Sequence, residues 1–423
     1  MEEYLKSKVI EGSQFHLDVT NEIEPWGNRV IVFQLVCYLT INHNIMKDAI
    51  IRIILGIFMF FLFYQCRQKS YHADSVDVDG NKLIVCNISS IVDSIDVPLS
   101  TLIDNCEYIP LETTDSSLFE RVYHVGVSDN YIAVHSYGRH PVKLFNRQGK
   151  FIRNIGSIGR GPGEFTSLNG IQIDEPNNRL YLTPFAGAEF IIAYDLDGLF
   201  QGNIPLIYRQ TKCKVYVDGD IITVLSMPFD DQIPVAYQQT INGTLIQKLP
   251  KIDHLILTPD FSSEVSSSRN SGFFDIQIVP WGMANYDTLY HYDTSGNKLI
   301  PKFVAIFSDK KQGSYTYDMK NHYWTWLLGD KSANKRVITD KKTLEANYFR
   351  LINDFYCGVE ITNFFTSNNS MFIGSLSAVD ILEEINEIKL NQKLNADERE
   401  RLFQIENTVN ENSNEILFIG KMK

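Results

Sequence analysis

The sequence predicts an all-β protein folded as a β-propeller, and three observations predict it. First, a strand–turn–strand pattern recurs: Val142–Arg153 around Gly149, Ile191–Gln201 around Gly198, Ala236–Gln247 around Gly243 and Tyr290–Ile300 around Gly296. The turn glycines are 49, 45 and 53 residues apart. Second, further alternating strands precede these hairpins: Tyr131–His135, then Asn169–Asp174 with Leu180–Thr183, then Val215–Val217 with Ile221–Leu225. Four short strands per unit of this length is the period of a propeller blade; a sandwich would need fewer strands and a solenoid shorter units. Third, 12% aromatic and 44% hydrophobic residues suit a β-rich core.

The individual turns support the pattern. Asp197-Gly198 and Asn242-Gly243 are strong hairpin signals because both residue pairs tolerate positive φ. Gly156–Asp174 reads GSIGRGPGEFTSLNGIQID, a glycine-rich crossover after the strand-like Phe151–Ile155 and before a strand that includes Ile171 and Ile173. Gly159-x-Gly161-x-Gly163 lacks the Lys-Ser/Thr of a phosphate loop and is followed by an alternating strand, so it reads as an inter-blade turn.

Beyond Phe307 the repeat blurs into shorter strands at Val337–Thr343, Tyr348–Ile352, Gly358–Phe365 and Ser370–Gly374. A helical insertion over about 377–410 follows. Ile381, Ile385 and Ile388 share one helical face, Asn395 and Glu398 have capping-box spacing, and Leu402, Ile405 and Val409 continue the stripe. Ile416–Ile419 then returns to a strand, and Glu107–Leu111 is its expected partner in closing the ring.

The N-terminus carries an address. Ile53–Gln65 is thirteen residues without a charge, too short for a membrane span and suited to a secretory signal core. Lys47 and Arg52 precede it and Cys66 follows it, as in a bacterial lipoprotein signal at 46–66 with Cys66 as the lipidated residue. An uncleaved signal anchor or a buried strand would also use such a run. Met46 then reads as the start, 1–45 as an upstream extension or disordered segment, 67–100 as a tether and first strand, and 101–423 as the propeller.

A net charge of −12 offers no basic field for nucleic acid. The six cysteines are scattered without a CxxC, which gives neither a zinc motif nor a readable disulfide framework.

Four segments taken in order resemble the six-bladed β-propeller lipoproteins of Bacteroides-like bacteria: Glu107–Thr113, Leu144–Lys150, Gly159–Phe165 and Glu415–Lys423. Gly159–Phe165 is also similar to the NHL-repeat signature. The resemblance covers roughly Ile84–Lys423 and implies six blades and an anchored, extracytoplasmic protein. It brings no catalytic residues. Where that family tends to have Asn-Pro before its last strand, this chain has Asn414-Glu415.

Few residues suggest chemistry. His124, His135 and His140 lack diagnostic metal spacing, no HExxH or GxSxG occurs, and Asp195, Asp197, Asp218, Asp220 and Asp293 sit where turns favour aspartate. No catalytic residue, metal ligand or cofactor is therefore assigned. The candidate binding residues are Arg160 and Glu164, which flank the glycine turn, and Trp324 and Trp326, whose rings could stack on a sugar or a cation. The expected function is a membrane-anchored binding or scaffold module for a glycan, peptide or protein partner. The alternative is a lyase or lactonase-type hydrolase with a metal in the central channel, and a third reading is a signal-anchored sensor.

Overall fold

Six sheets follow one another around a ring. The computed structural model describes residues 72–423 apart from 137–139, 230–231, 253–254, 256–263, 270–271, 280–287, 309–312, 329–334, 362 and 367–370. The proposed signal peptide, Cys66 and the segment 1–45 lie outside the described residues.

Blade 1 comprises Val122–Val127, Tyr131–Ser136, Val142–Asn146 and Phe151–Ile155. Blade 2 comprises Leu168–Asp174, Arg179–Pro184, Ala188–Tyr194 and Phe200–Gln210; blade 3 comprises Lys214–Asp218, Ile221–Leu225, Ala236–Thr240 and Leu245–Lys248. Blade 4 has Glu264–Ser268, Phe274–Val279, Thr288–Asp293 and Lys298–Ile306, and blade 5 has Gly313–Asp318, His322–Leu328, Arg336–Asp340 and Ala346–Asn353. Blade 6 takes Asn363–Thr366, Met371–Leu376 and Ile416–Lys421 from the C-terminal part of the chain, and its fourth strand, Glu107–Pro110, from before blade 1. The register pairs Leu417 with Ile109 and Phe418 with Tyr108, which is the closure the sequence led one to expect.

Six hydrophobic clusters fill the six interfaces between neighbouring blades. Ile109, Leu417, Ile132 and Phe145 pack blade 6 on blade 1, so the closing interface is as apolar as the others. The turn between strands 3 and 4 explains the glycine repeat. In blades 1 to 3 it opens on Asn146, Asp195 or Thr240, whose side chain accepts a main-chain N–H from within the turn, and Gly149, Gly198 or Gly243 sits at φ 81–83°. This turn abuts strand 4 of the preceding blade. A Cβ on Gly149 would lie 2.3 Å from the Pro110 carbonyl oxygen, and one on Gly243 would lie 3.3 Å from Pro205. In blade 4 Asn297 bonds to the Lys248 carbonyl in the same place.

The stretch 67–100, read as a tether with a first strand, has more structure from residue 72 on. Ala73–Val78 and Asn81–Asn87 form a hairpin, and Asn81–Asn87 runs parallel to the outer strand of blade 4. Ser94–Pro98 does the same on blade 5. The N-terminal segment thus straps the outer edges of two successive blades, 4 and 5, before becoming strand 4 of blade 6, which covers the outer strands of those two blades.

The insertion forms α1, Ala378–Asn391, and α2, Ala396–Thr408. Ser377 caps α1, and Asn395 and Glu398 form the reciprocal capping box at α2. Ile381, Ile385, Ile388, Leu402 and Ile405 bury this hairpin against blades 5 and 6. Glu384 on α1 accepts the Glu360 N–H at 2.6 Å. Burial, with Glu360, Asp380 and Glu387 adding repulsion, pushes its carboxyl up to about 7 against the lowering effect of that hydrogen bond.

A carboxyl whose folded pKa is raised stabilises the fold in its protonated form, so its contribution is present below about pH 4.5 and is lost as pH rises towards 7. Glu384→Gln keeps the acceptor and removes the charge. It should raise stability by about 1–2 kcal/mol at pH 8 and leave it unchanged at pH 4. Equal thermal shifts at both pH values would contradict this.

Candidate functional site

The first strands of the blades line the ring axis, and their alternating side chains point into it. A cavity of about 380 Å³ lies there, bounded by residues from five of these strands. His124 comes from blade 1, Asn169 and Gln172 from blade 2, Lys214 and Tyr216 from blade 3, Glu264 and Ser267 from blade 4, and Tyr315 and Tyr317 from blade 5. His124, Asn169, Lys214, Glu264 and Tyr315 lie in the first halves of their strands, which gathers them toward one mouth.

The wall is held by its own hydrogen bonds. Gln172 spans to blade 3, accepting from Val217 N at 2.9 Å and donating to its carbonyl at 2.6 Å. The hydroxyls of Tyr216 and Ser267 meet at 2.7 Å. Tyr315 donates to Glu264 at 3.4 Å, and Lys212, just above the first strand of blade 3, pairs with the same carboxylate at 3.6 Å. Lys214 Nζ donates to the Asn169 carbonyl at 3.2 Å. One acceptor leaves an ammonium donor capacity for a ligand.

Burial lowers the Lys214 pKa, partly offset by Glu264. Burial, reinforced by Lys214 and His135, also holds the His124 pKa well below its usual value. Neutral His124 faces the Leu168 carbonyl with Nε2 at 3.3 Å. A carbonyl only accepts, so that nitrogen carries the proton and Nδ1 is the acceptor. Burial pushes the Tyr216 and Tyr317 hydroxyls up to about 12, so both remain donors.

The residues singled out from sequence fall elsewhere. Glu164 turns back into its own loop, where it accepts from Gly161 N at 2.7 Å; a Cβ on Gly159 would collide with its carboxylate. Gly159–Phe165 is the inter-blade connection expected of it, with Phe165 buried between blades 1 and 2 and Arg160 exposed on the loop.

Trp324 is 1% exposed and packs against Phe349, with ring centroids 5.1 Å apart, so it presents no face to a ligand. Trp326 is half-buried beneath the Arg336 guanidinium, 4.5 Å from its ring centroid. Both tryptophans belong to the layer under the helical hairpin, far in the chain's topology from the glycine turn, and the two predicted pairs are not brought together.

His124 and His135 do meet, stacked at 5.8 Å, and burial lowers His135 to about 4. Asp195 and Asp293 cap their turns. The four described cysteines are free thiols; burial pushes Cys86, Cys106 and Cys213 up to about 12.

Sequence reasoning did not find Lys214, Tyr216, Glu264, Tyr315 or Tyr317. The signal available was position, because polar residues alternating along the first strand of each unit must face the axis.

A closed six-bladed ring of four-stranded sheets defines the class of the protein as a β-propeller, here with a polar cavity on its axis. The family model for DUF4934, a domain of unknown function, matches residues 83–421, and the chain belongs to that family. Among solved structures it is similar to a protein of Bacteroides fragilis described as exported (16% identity, TM-score 0.54, covering 78% of this chain and 98% of that one). A DUF4221-family member from Bacteroides vulgatus gives 10% identity and a TM-score of 0.43 over 76% of this chain and 97% of that one. No curated protein matches. No helix among the described residues is long and apolar enough to cross a membrane.

Proposed function

We propose that the protein is exported, anchored by a lipid on Cys66, and serves as a binding module whose axial cavity takes a glycan. Peptide and protein partners are the competing occupants. The observation that carries the reading is the convergence of Lys214, His124, Asn169, Tyr315 and Tyr317 from four blades on one cavity. Hydroxyl, amide and ammonium groups beside tyrosine rings match the hydroxyls and ring faces of a sugar.

The enzyme alternative draws less support from the axis. His124 and Glu264 are its metal-type donors among the described residues, and the cluster of three such donors lies outside the cavity.

Binding of the purified full chain to a glycan array should show a defined set of ligands. Lys214→Met should weaken that binding at least tenfold without lowering thermal stability, because the variant no longer buries an ammonium. No glycan binding, or binding indifferent to Lys214→Met, would sink the reading. For the anchor, a labelled fatty acid fed to expressing cells should appear on the protein and be absent from Cys66→Ala; equal labelling of both would contradict it.

A further inference from the structure

Away from the axial cavity, between blades 4 and 5, lies a crevice of about 560 Å³. Asp275 on strand 2 and His291 on strand 3 of blade 4 face each other in register, and Asp318 ends strand 1 of blade 5. They are 1%, 6% and 2% exposed. His291 Nε2 lies 3.1 Å from Asp275 Oδ1 and 3.0 Å from Asp318 Oδ2, and one donor atom from each residue falls within 4.8 Å of the others. We propose that this cluster is a site for a divalent cation of the zinc or manganese type, whose open coordination positions face the crevice and accept an anionic group.

Three observations support it. The first is distance. Donors about 2.1 Å from a shared ion are separated by about 3 Å at right angles and about 3.4 Å at tetrahedral angles, and the two carboxylate oxygens lie 3.1 and 3.0 Å from Nε2, near the first of these. Two carboxylates and an imidazole suit zinc or manganese better than a soft-metal site.

The second is the outer partners. Ser268 Oγ holds the other oxygen of Asp275 at 2.9 Å, and Lys341 Nζ bonds the other oxygen of Asp318. The Phe273 ring stacks on His291 at 4.9 Å. Each carboxylate thus has one oxygen bonded by an outer partner and the other beside Nε2, and the Tyr323 hydroxyl adds a hydrogen bond to Asp318, the kind of outer support that metal ligands have.

The third comes from the repeat itself. Counting back from the turn between strands 3 and 4, the positions of Asp275, His291 and Asp318 correspond to Ala133, Leu144 and Ile173 at the interface of blades 1 and 2. At the interface of blades 2 and 3 they correspond to Tyr181, Ala193 and Val217. At these positions the fold packs both interfaces with uncharged side chains, so the acid–imidazole–acid trio at blades 4 and 5 is not a requirement of the ring.

The crevice suits an anion as the outer ligand. In a chain of net charge −12, Lys82, Lys302, Lys320, Lys341 and Lys423 all line it. The competing account is a plain ion-pair network in which protonated Nε2 donates to both carboxylates.

Calorimetry on the full chain in detergent, stripped with chelator and titrated with zinc chloride and manganese chloride, separates the two. The expected result is one saturable ion per chain at micromolar affinity or tighter, with His291→Gln and Asp318→Asn each weakening it at least a hundredfold. Wild-type crystals soaked in zinc should give an anomalous peak among the three donors, a readout that does not require either variant to fold. No saturable binding, binding unchanged in both variants, or an anomalous peak elsewhere would overturn the proposal. None of these outcomes bears on glycan binding in the axial cavity.

Discussion

Trp324→Ala should lower stability by about 3–5 kcal/mol, the cost of emptying a large aromatic site that cannot collapse. Trp324 is 1% exposed and sits where blade 5, blade 6 and the helical hairpin meet, beside Phe349, Ile338 and Phe372. Its neighbour two positions on provides the contrast. Trp326→Ala removes a half-buried ring that packs under Arg336, and should cost about 1–2 kcal/mol. Chemical denaturation of both variants measures the difference. A Trp324→Ala protein as stable as wild type, or a smaller loss than in Trp326→Ala, would return Trp324 to the list of candidate binding residues.

Asn414→Ala is expected to cost about 3 kcal/mol, from three hydrogen bonds to main-chain groups that the mutation leaves unpaired. Asn414 is 2% exposed. Its side-chain oxygen accepts from Phe119 N at 3.0 Å, and its amide donates to the carbonyls of Glu112 at 2.9 Å and Ser117 at 3.1 Å. These contacts tie the last strand to the segment between the first-threaded strand of blade 6 and blade 1. Asn414 thus anchors the last strand in this chain with Glu415, not a proline, following it. Asn414→Asp tests the hydrogen-bond account, since it keeps one acceptor and loses both donors; it should recover little of the loss. A thermal midpoint unchanged in Asn414→Ala would contradict the account.

Local turn chemistry made blades 1 to 4 legible. Their turns between strands 3 and 4 carry Gly149, Gly198, Gly243 and Gly296, but the fourth turn is one residue longer and Asn297, at φ 47°, takes the left-handed place. In blade 5 Leu344 takes it at φ 62°, with no glycine in the turn. That is why the pattern faded after Phe307 although the blade is complete.

The strap was harder to read. Asn81–Asn87 and Ser94–Pro98 pair in parallel with strands more than two hundred residues away, so no adjacent turn betrays their partners. The axial site was invisible for a related reason. Lys214, Glu264 and Tyr315 come from three blades, and only closure of the ring brings them to one cavity. Trp324 and Trp326 drew attention because large aromatic side chains can serve either a ligand or a core, and sequence alone does not say which side of a blade is covered.

Amide hydrogen exchange along Glu107–Pro110 and Ile416–Lys421 tests the closed ring most directly. These strands pair from opposite ends of the described chain, and closure predicts that their hydrogen-bonded amides are protected as strongly as those of blade 2, exchanging only with global unfolding. Rapid exchange of both strands while blade 2 stays protected would mean that the ring is open.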